Sequence, residues 1–269
     1  MTIVIGAAQK DYSIVMADTQ ASSGQEKLYY PSKLMVRPTE QGTEVLGFSG
    51  IVPFWDFFKE KDTNRGTSND VRTHYLSVAE YLEIRREFRK TSTIGSISSR
   101  SRYTRASSII SVRANDAYPL REFTSKGLKV GTAYVATGNG SNIAFDTLGH
   151  IAPVSDWSKL SRSESMLALL HAYHNSVESV IGCGGVPSIY LIFGHQFMSI
   201  NYSSTILMQR IERGFTNGLL APKVAKSGIE HLLDGEDYRN VRELVLGQLR
   251  GPKIERGKAL LDGFLPMPN

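Results

Sequence analysis

The chain has 269 residues but one cysteine, Cys183, so no internal disulfide can form. No segment approaches the ~20 consecutive apolar residues that a membrane-spanning helix needs. Residues 1–6, Met-Thr-Ile-Val-Ile-Gly, carry no basic side chain, and a polar Gln9-Lys10-Asp11 turn follows almost at once. That is not the pattern of a secretion signal. Like charges never run long enough for a disordered tail, and there is no internal repeat. Histidines are few. His171 and His174 share helical spacing, but no cysteine or carboxylate close to them in sequence completes a metal set. The Gly138-Asn139-Gly140 turn lacks the lysine and spacing of a phosphate loop. Together these absences predict a cytoplasmic protein with no membrane segment, no metal and no cofactor.

The chain is 41% hydrophobic, which is ample for one large core. Its formal net charge is +5, and part of the excess lies in Arg85, Arg86, Arg89, Lys90, Arg100, Arg102 and Arg105. No nucleic-acid motif accompanies that charge. It reads as a solvated helix end followed by a Ser-rich loop, not as a nucleic-acid surface.

Hydrophobic periodicity divides the chain into alternating groups of strands and helices. Strands are predicted at 2–9, 13–19, 33–37 and 44–49. Ser22-Ser23-Gly24 breaks the pattern between the second and third. Helices follow at 52–61 and 68–90. Short strands return at 107–112, 120–124, 127–130 and 133–137. A helix at 142–148 precedes a longer one at about 161–181, which opens on Ser161-x-x-Glu164, a capping box. Strands at 187–193 and 197–202 close the first domain, residues 1–203. Residues 204–269 read as a mostly helical extension packed on it. Helices are predicted there near 205–216, 223–233 and 237–249, before a polar, Pro-containing tail. This order predicts an α+β fold in layers, with helices outside two stacked sheets.

The N-terminus carries the chemistry. If the first hairpin turns about Asp11, residue i faces residue 22 minus i, and Thr2 and Asp18 become diagonal neighbours on one sheet face. Their backbones would then be about 7–8 Å apart. Lys33 would reach both from the next strand. A threonine hydroxyl needs an adjacent base. If Met1 is removed, the α-amine of Thr2 can serve, with a reference pKa of about 7.7–8.0. A neighbouring lysine ammonium lowers that value by charge repulsion, and Asp18 would hold the lysine charged and oriented.

The order of motifs resembles the opening of proteasome β-subunits and of the related bacterial proteasome-like peptidases. The matching residues are Thr2-Ile3-Val4-Ile5-Gly6, Ala17-Asp18-Thr19-Gln20-Ala21-Ser22-Ser23-Gly24, Ser32-Lys33-Leu34 and Gly47-Phe48-Ser49-Gly50. Ala136-Thr137-Gly138-Asn139-Gly140-Ser141 resembles a later Gly-Ser-Gly turn of the family, with Asn139 in the serine's place. Gly182-Cys183-Gly184-Gly185 resembles an Asp-x-x-Ser-Gly-Gly segment, with Val180 at the Asp position and Cys183 at the Ser position. The resemblance spans roughly residues 2–202.

The resemblance implies a four-layer αββα sandwich of the N-terminal-nucleophile (Ntn) hydrolase type. It implies that Thr2, Asp18 and Lys33 form the catalytic group, with Gly50 supplying an oxyanion-hole amide and Asn139 beside the terminal amine. The substrate pocket would be lined by Ala21, Pro31 and Phe48, with Phe48 narrowing it toward a small or medium apolar side chain. The implied activity is threonine-type peptide-bond hydrolysis in a homo-oligomeric ring, on polypeptides delivered by an ATP-dependent unfoldase. Two other readings fit the same residues: an Ntn amidase or acyl transferase, and a catalytically silent ring or gating subunit.

Overall fold

Strands β1 (Ile3–Ala8) and β2 (Ser13–Ala17) are apolar at nearly every position, and both are buried along their whole length. Such strands belong in the middle of a sheet covered on both faces. The computed structural model describes residues 2–23, 26–29, 33–39, 42–50, 52–63, 108–113, 119–124, 127–131, 133–180 and 183–263. The helix predicted at 68–90 and the basic stretch up to Arg105 lie outside the described residues.

β1 and β2 form the centre of a five-stranded antiparallel sheet with β10 (Tyr134–Gly138), β11 (Ser188–Phe193) and β12 (Gln196–Ser199), in the order β10-β1-β2-β11-β12. A second antiparallel sheet has the order β5-β6-β7-β8-β9. It comprises β5 (Leu34–Thr39), β6 (Gly42–Ser49), β7 (Ser108–Arg113), β8 (Leu120–Thr124) and β9 (Gly127–Gly131). A hairpin not expected from the sequence, β3 (Gln20–Ser23) with β4 (Glu26–Tyr29), joins them. Its strands have four residues each and are polar, so they show no hydrophobic alternation.

Three apolar layers alternate with the sheets. Ile3, Ile5, Ile14 and Met16 point from the first sheet toward helices α2 (Ser141–Ile151) and α3 (Arg162–Ser179). Val4, Val15 and Ala17 point the other way and meet Val45, Ile110 and Val112 between the sheets. Leu46, Phe48 and Ile109 leave the far face of the second sheet and pack with Phe54, Trp55 and Phe58 of α1 (Val52–Thr63). The result is helix, sheet, sheet, helix: the predicted αββα sandwich. At Gly47, a Cβ would lie 2.5 Å from Val4 Cγ1 of the facing sheet, so only glycine permits this spacing.

The first hairpin corrects the expected register. Val4 pairs with Ala17 and Ala8 with Ser13, so residue i faces 21 minus i, not 22 minus i. Gln9 N–H donates to Tyr12 O at 2.8 Å, closing a two-residue loop of Lys10 and Asp11. Two-residue loops suit the right-handed strand twist, and a one-residue change of register moves side chains to the opposite face. Asp18 therefore stands opposite Ile3, not Val4.

Among the described residues the C-terminal portion has four helices: α4 (Tyr202–Thr216), α5 (Pro222–Leu233), α6 (Tyr238–Gly247) and α7 (Lys253–Leu261). The last replaces part of the expected polar tail. Its Leu260 and Leu261 are buried although the segment is charged elsewhere. Leu207, Met208 and Ile211 of α4 and Ala225 and Ile229 of α5 belong to the same apolar cluster as α3 and the first sheet.

α4 is also pinned to α3 by a buried carboxylate. Glu212 accepts from His171 Nδ1 at 2.8 Å, from Thr216 Oγ1 at 2.7 Å and from His174 Nδ1. The carboxylate that sequence proximity could not supply to the two histidines thus comes from the next helix. It takes up their Nδ1 atoms, and no metal-type cluster occurs among the described residues. Burial would raise the Glu212 carboxyl, but the hydrogen bonds from His171, His174 and Thr216 and the attraction of His174 together outweigh it and hold the group at about 2. A depressed carboxyl stabilises the fold above its ordinary value and stops doing so as pH falls through the folded value. Glu212→Ala is expected to cost ~3 kcal/mol near neutral pH. The difference from wild type should shrink as pH drops from the ordinary 4.5 toward about 2. Urea unfolding at both ends of that window measures it, and an unchanged difference would contradict the assignment.

Candidate active site

The first strand pair ends where Asp18 leaves the ladder. Asp18 N–H donates to Ile3 O at 3.1 Å, and Asp18 Oδ1 accepts from Ile3 N–H at 3.0 Å. The same Oδ1 accepts from Lys33 Nζ at 2.8 Å, and Gly184 N–H approaches Oδ2 at 3.4 Å. One carboxylate thus gathers the start of β1, the residue before β5 and the loop after α3. Lys33 Nζ also donates to Gln20 O. Asp18 is 0% exposed and Lys33 is 3% exposed.

Burial pushes the Asp18 carboxyl up and the Lys33 ammonium down from their ordinary values. Their mutual attraction and hydrogen bonds oppose both shifts. A buried ion pair is tolerable only when each charge keeps such partners.

Thr2 is held from both sides. The amide that follows it binds Asp18, and Thr2 O accepts from Asn139 N–H at 3.0 Å. Gly138 beside it has φ +98, and a Cβ there would lie 2.0 Å from Thr2 O. Only glycine fits this contact. Thr2 itself is buried. Asn139 makes that bond through its main chain, and the residue is exposed. Helix α3 supports the surrounding turns: Ser176 Oγ donates to Gly140 O at 3.1 Å, and Tyr173 OH donates to Gly185 O at 2.7 Å. Thr19 Oγ1 donates to Val186 O at 2.9 Å in the same loop.

Gly50 follows β6 directly, is exposed and has φ +137. Phe48 N–H donates to Lys33 O at 2.9 Å, which brings this end of β6 alongside the lysine. The pocket residues fare differently. Ala21 pairs with Leu28 through the β3–β4 backbone, and its side chain lies outside the described residues, as does all of Pro31. Phe48 is corrected: it does not narrow a pocket beside Thr2. Its ring lies 5.2 Å from that of Trp55 and 6.0 Å from that of Phe54, in the core beneath α1. Strand alternation explains this. Gly47 and Ser49 face the opposite sheet, so Phe48 must face away.

That alternation exposes a group the sequence reading missed. Ser49 Oγ lies 3.3 Å from Ser108 Oγ and 3.4 Å from Thr137 Oγ1, and Ser108 and Thr137 also share a hydrogen bond. All three are buried. Thr137 pairs with Val4, so it stands diagonally from Thr2 across the β1–β10 pair. Ser49 and Ser108 each occupy a strand end next to apolar residues, which was the available signal. Cys183 is buried, and burial pushes its thiol up to about 11, the setting of an inert packing residue.

This helix–sheet–sheet–helix sandwich is a proteasome-like fold. Solved structures of Anbu share it. Anbu from Yersinia bercovieri, described as an ancestral beta-subunit, superposes with a TM-score of 0.59 at 10% identity, covering 81% of this chain and 95% of that one. A Gly-1 mutant of Anbu from Hyphomicrobium sp. strain MC1 gives 0.57 at 12% identity, with 81% and 95% covered. The helical assembly of the Anbu complex from Pseudomonas aeruginosa gives 0.54 at 13% identity, with 81% and 94% covered. No protein-family model and no curated protein sequence matches the chain.

Removing either member of the buried pair strands the other charge. Asp18→Ala and Lys33→Ala are each expected to destabilise the fold by ~3 kcal/mol. The double variant should cost less than the two together, with a coupling above ~1 kcal/mol. Urea denaturation of the four proteins tests this, and strict additivity would show that the pair is not coupled.

Proposed function

We propose that the chain is an N-terminal threonine hydrolase that cleaves peptide bonds through an acyl ester on Thr2, after removal of Met1. The observation that carries this reading is the Asp18 carboxylate, which holds the Lys33 ammonium and the amide following Thr2 on one oxygen. It supports a placement of the terminal residue within the field of a desolvated cation.

In this mechanism the Thr2 hydroxyl attacks the carbonyl carbon and its proton passes to the free α-amine of the same residue. The main-chain N–H of Gly50 would stabilise the oxyanion, a contribution of typically a few kcal/mol to the barrier. The tetrahedral intermediate collapses as the ammonium protonates the leaving amine. Water then attacks the ester, again with the α-amine as base, and the acid product leaves with the hydroxyl restored. Lys33 lowers the amine's pKa and favours the developing alkoxide. Asp18 orients Lys33. Asn139 positions the first residue by its main chain. Ala21 and Pro31 remain the proposed lining of the substrate pocket.

Polypeptides are the proposed substrates, fed by an ATP-dependent unfoldase to a homo-oligomeric ring in the cytoplasm. The fold shared with Anbu, whose Pseudomonas aeruginosa form is described as a helical assembly, supports an oligomer. No helix among the described residues is long and apolar enough to cross a membrane. A second reading, a catalytically silent assembly subunit, draws on Val180. It packs against the apolar core where the resemblance places an acid. An amidase or acyl transferase would share the first steps and differ in products, which mass spectrometry distinguishes.

The intact mass of natively expressed protein should lack Met1 and should gain one adduct from a threonine-directed covalent inhibitor. Thr2→Ala should lose peptidase activity by about 10³-fold or more, whereas Thr2→Ser should keep part of it. The rising limb of kcat/KM against pH should lie below the amine's reference of about 7.7–8.0. A retained Met1, or full activity in Thr2→Ala, would overturn the proposal and favour the silent subunit.

A further inference from the structure

Helix α3 has two working faces. Tyr173 and Ser176 support the glycine turns beside Thr2. Glu164, Leu167, Ala168 and His171 follow helical spacing on the opposite side and face a cavity of about 550 Å³. Small-molecule sites are typically ~300–1,000 Å³ and mainly apolar. This cavity has that character: Ile151, Leu160, Leu167, Ala168, Phe215 and Pro222 contribute to its walls. They come from α2, the turn after it, and helices α3, α4 and α5, so the space lies where the C-terminal helices meet the sandwich.

The polar groups at the wall decide what fits. Glu164 binds Lys226 and the Ser161 N–H, the latter at 2.8 Å. Glu212 binds His171, His174 and Thr216. Each charged group lining the cavity therefore already has its partner within the protein. An incoming anion or cation would shed water and meet no free counter-charge among the described residues lining the cavity, an expensive exchange. A neutral apolar body would lose little and gain contact with six apolar side chains.

We infer that this cavity is a binding site for an uncharged, largely apolar small molecule. The site is separate from the Thr2 group and does not depend on the proposed peptidase activity.

Three probes of one shape test it by isothermal titration calorimetry on the full chain: hydrocinnamamide, hydrocinnamate and phenylpropylammonium. The neutral amide should bind with a submillimolar dissociation constant, at least about tenfold tighter than either charged probe. Ala168→Phe, which puts a larger side chain on the cavity wall, should abolish binding with an unchanged circular dichroism spectrum. Ile151→Trp, at a residue 45% exposed, narrows the cavity without touching the core and carries the test if Ala168→Phe misfolds. The inference fails if no probe binds, if a charged probe matches the amide, or if binding persists in both variants. It also fails if the variants instead abolish self-association in sedimentation experiments, since a second copy of the chain would then be the occupant.

Discussion

A single carboxylate oxygen, Asp18 Oδ1, accepts from Ile3 N–H and from Lys33 Nζ in a place where water does not reach. Burying an ion is tolerable only with partners in place, and these partners come from segments distant in the chain. The start of β1, the residue before β5 and the glycine loop after α3 must therefore all arrive for the charge to be satisfied. The candidate site and the packing of the first sheet are one structural event. The peptide unit that follows Thr2 is fixed at both edges: its N–H donates to Asp18 and its carbonyl accepts from Asn139 N–H.

The closeness of the two sheets sets what surrounds that residue. Gly47 lets Val4 approach across the sandwich, and the alternation of β6 then assigns its neighbours. Ser49 turns inward with Ser108 and Thr137, and Phe48 turns outward into the aromatic stack under α1. Polar hydroxyls rather than an aromatic ring therefore occupy the inter-sheet space diagonal to Thr2. This is a different environment from one narrowed by a phenylalanine, and it follows from a period of two along one strand.

Helix α3 links the two regions with chemical character. One side supports the turns at Gly140 and Gly185, while the other borders the apolar cavity and is clamped to α4 through Glu212. Because the C-terminal helices share the apolar cluster of α3 and the first sheet, they complete the helical layer instead of forming a separate core. The buried Glu212 ties the two histidines of α3 to α4 through their Nδ1 atoms.

Some of this was legible in the residues alone. Local chemistry determined the buried strands β1 and β2, the αββα layering and the Ser161–Glu164 capping box at the start of α3, because periodicity and caps act over a few residues. The resemblance of motif order singled out Thr2, Asp18 and Lys33, and the structure joins the last two by a hydrogen bond. Only the tertiary structure decided which amide Asp18 takes, because a two-residue turn shifted the register by one. It alone decided the direction of Phe48, the meeting of Ser49, Ser108 and Thr137, and the carboxylate given to His171 and His174. Each of these joins residues far apart in sequence, and such contacts depend on register and on the approach of whole layers, which local pattern does not encode.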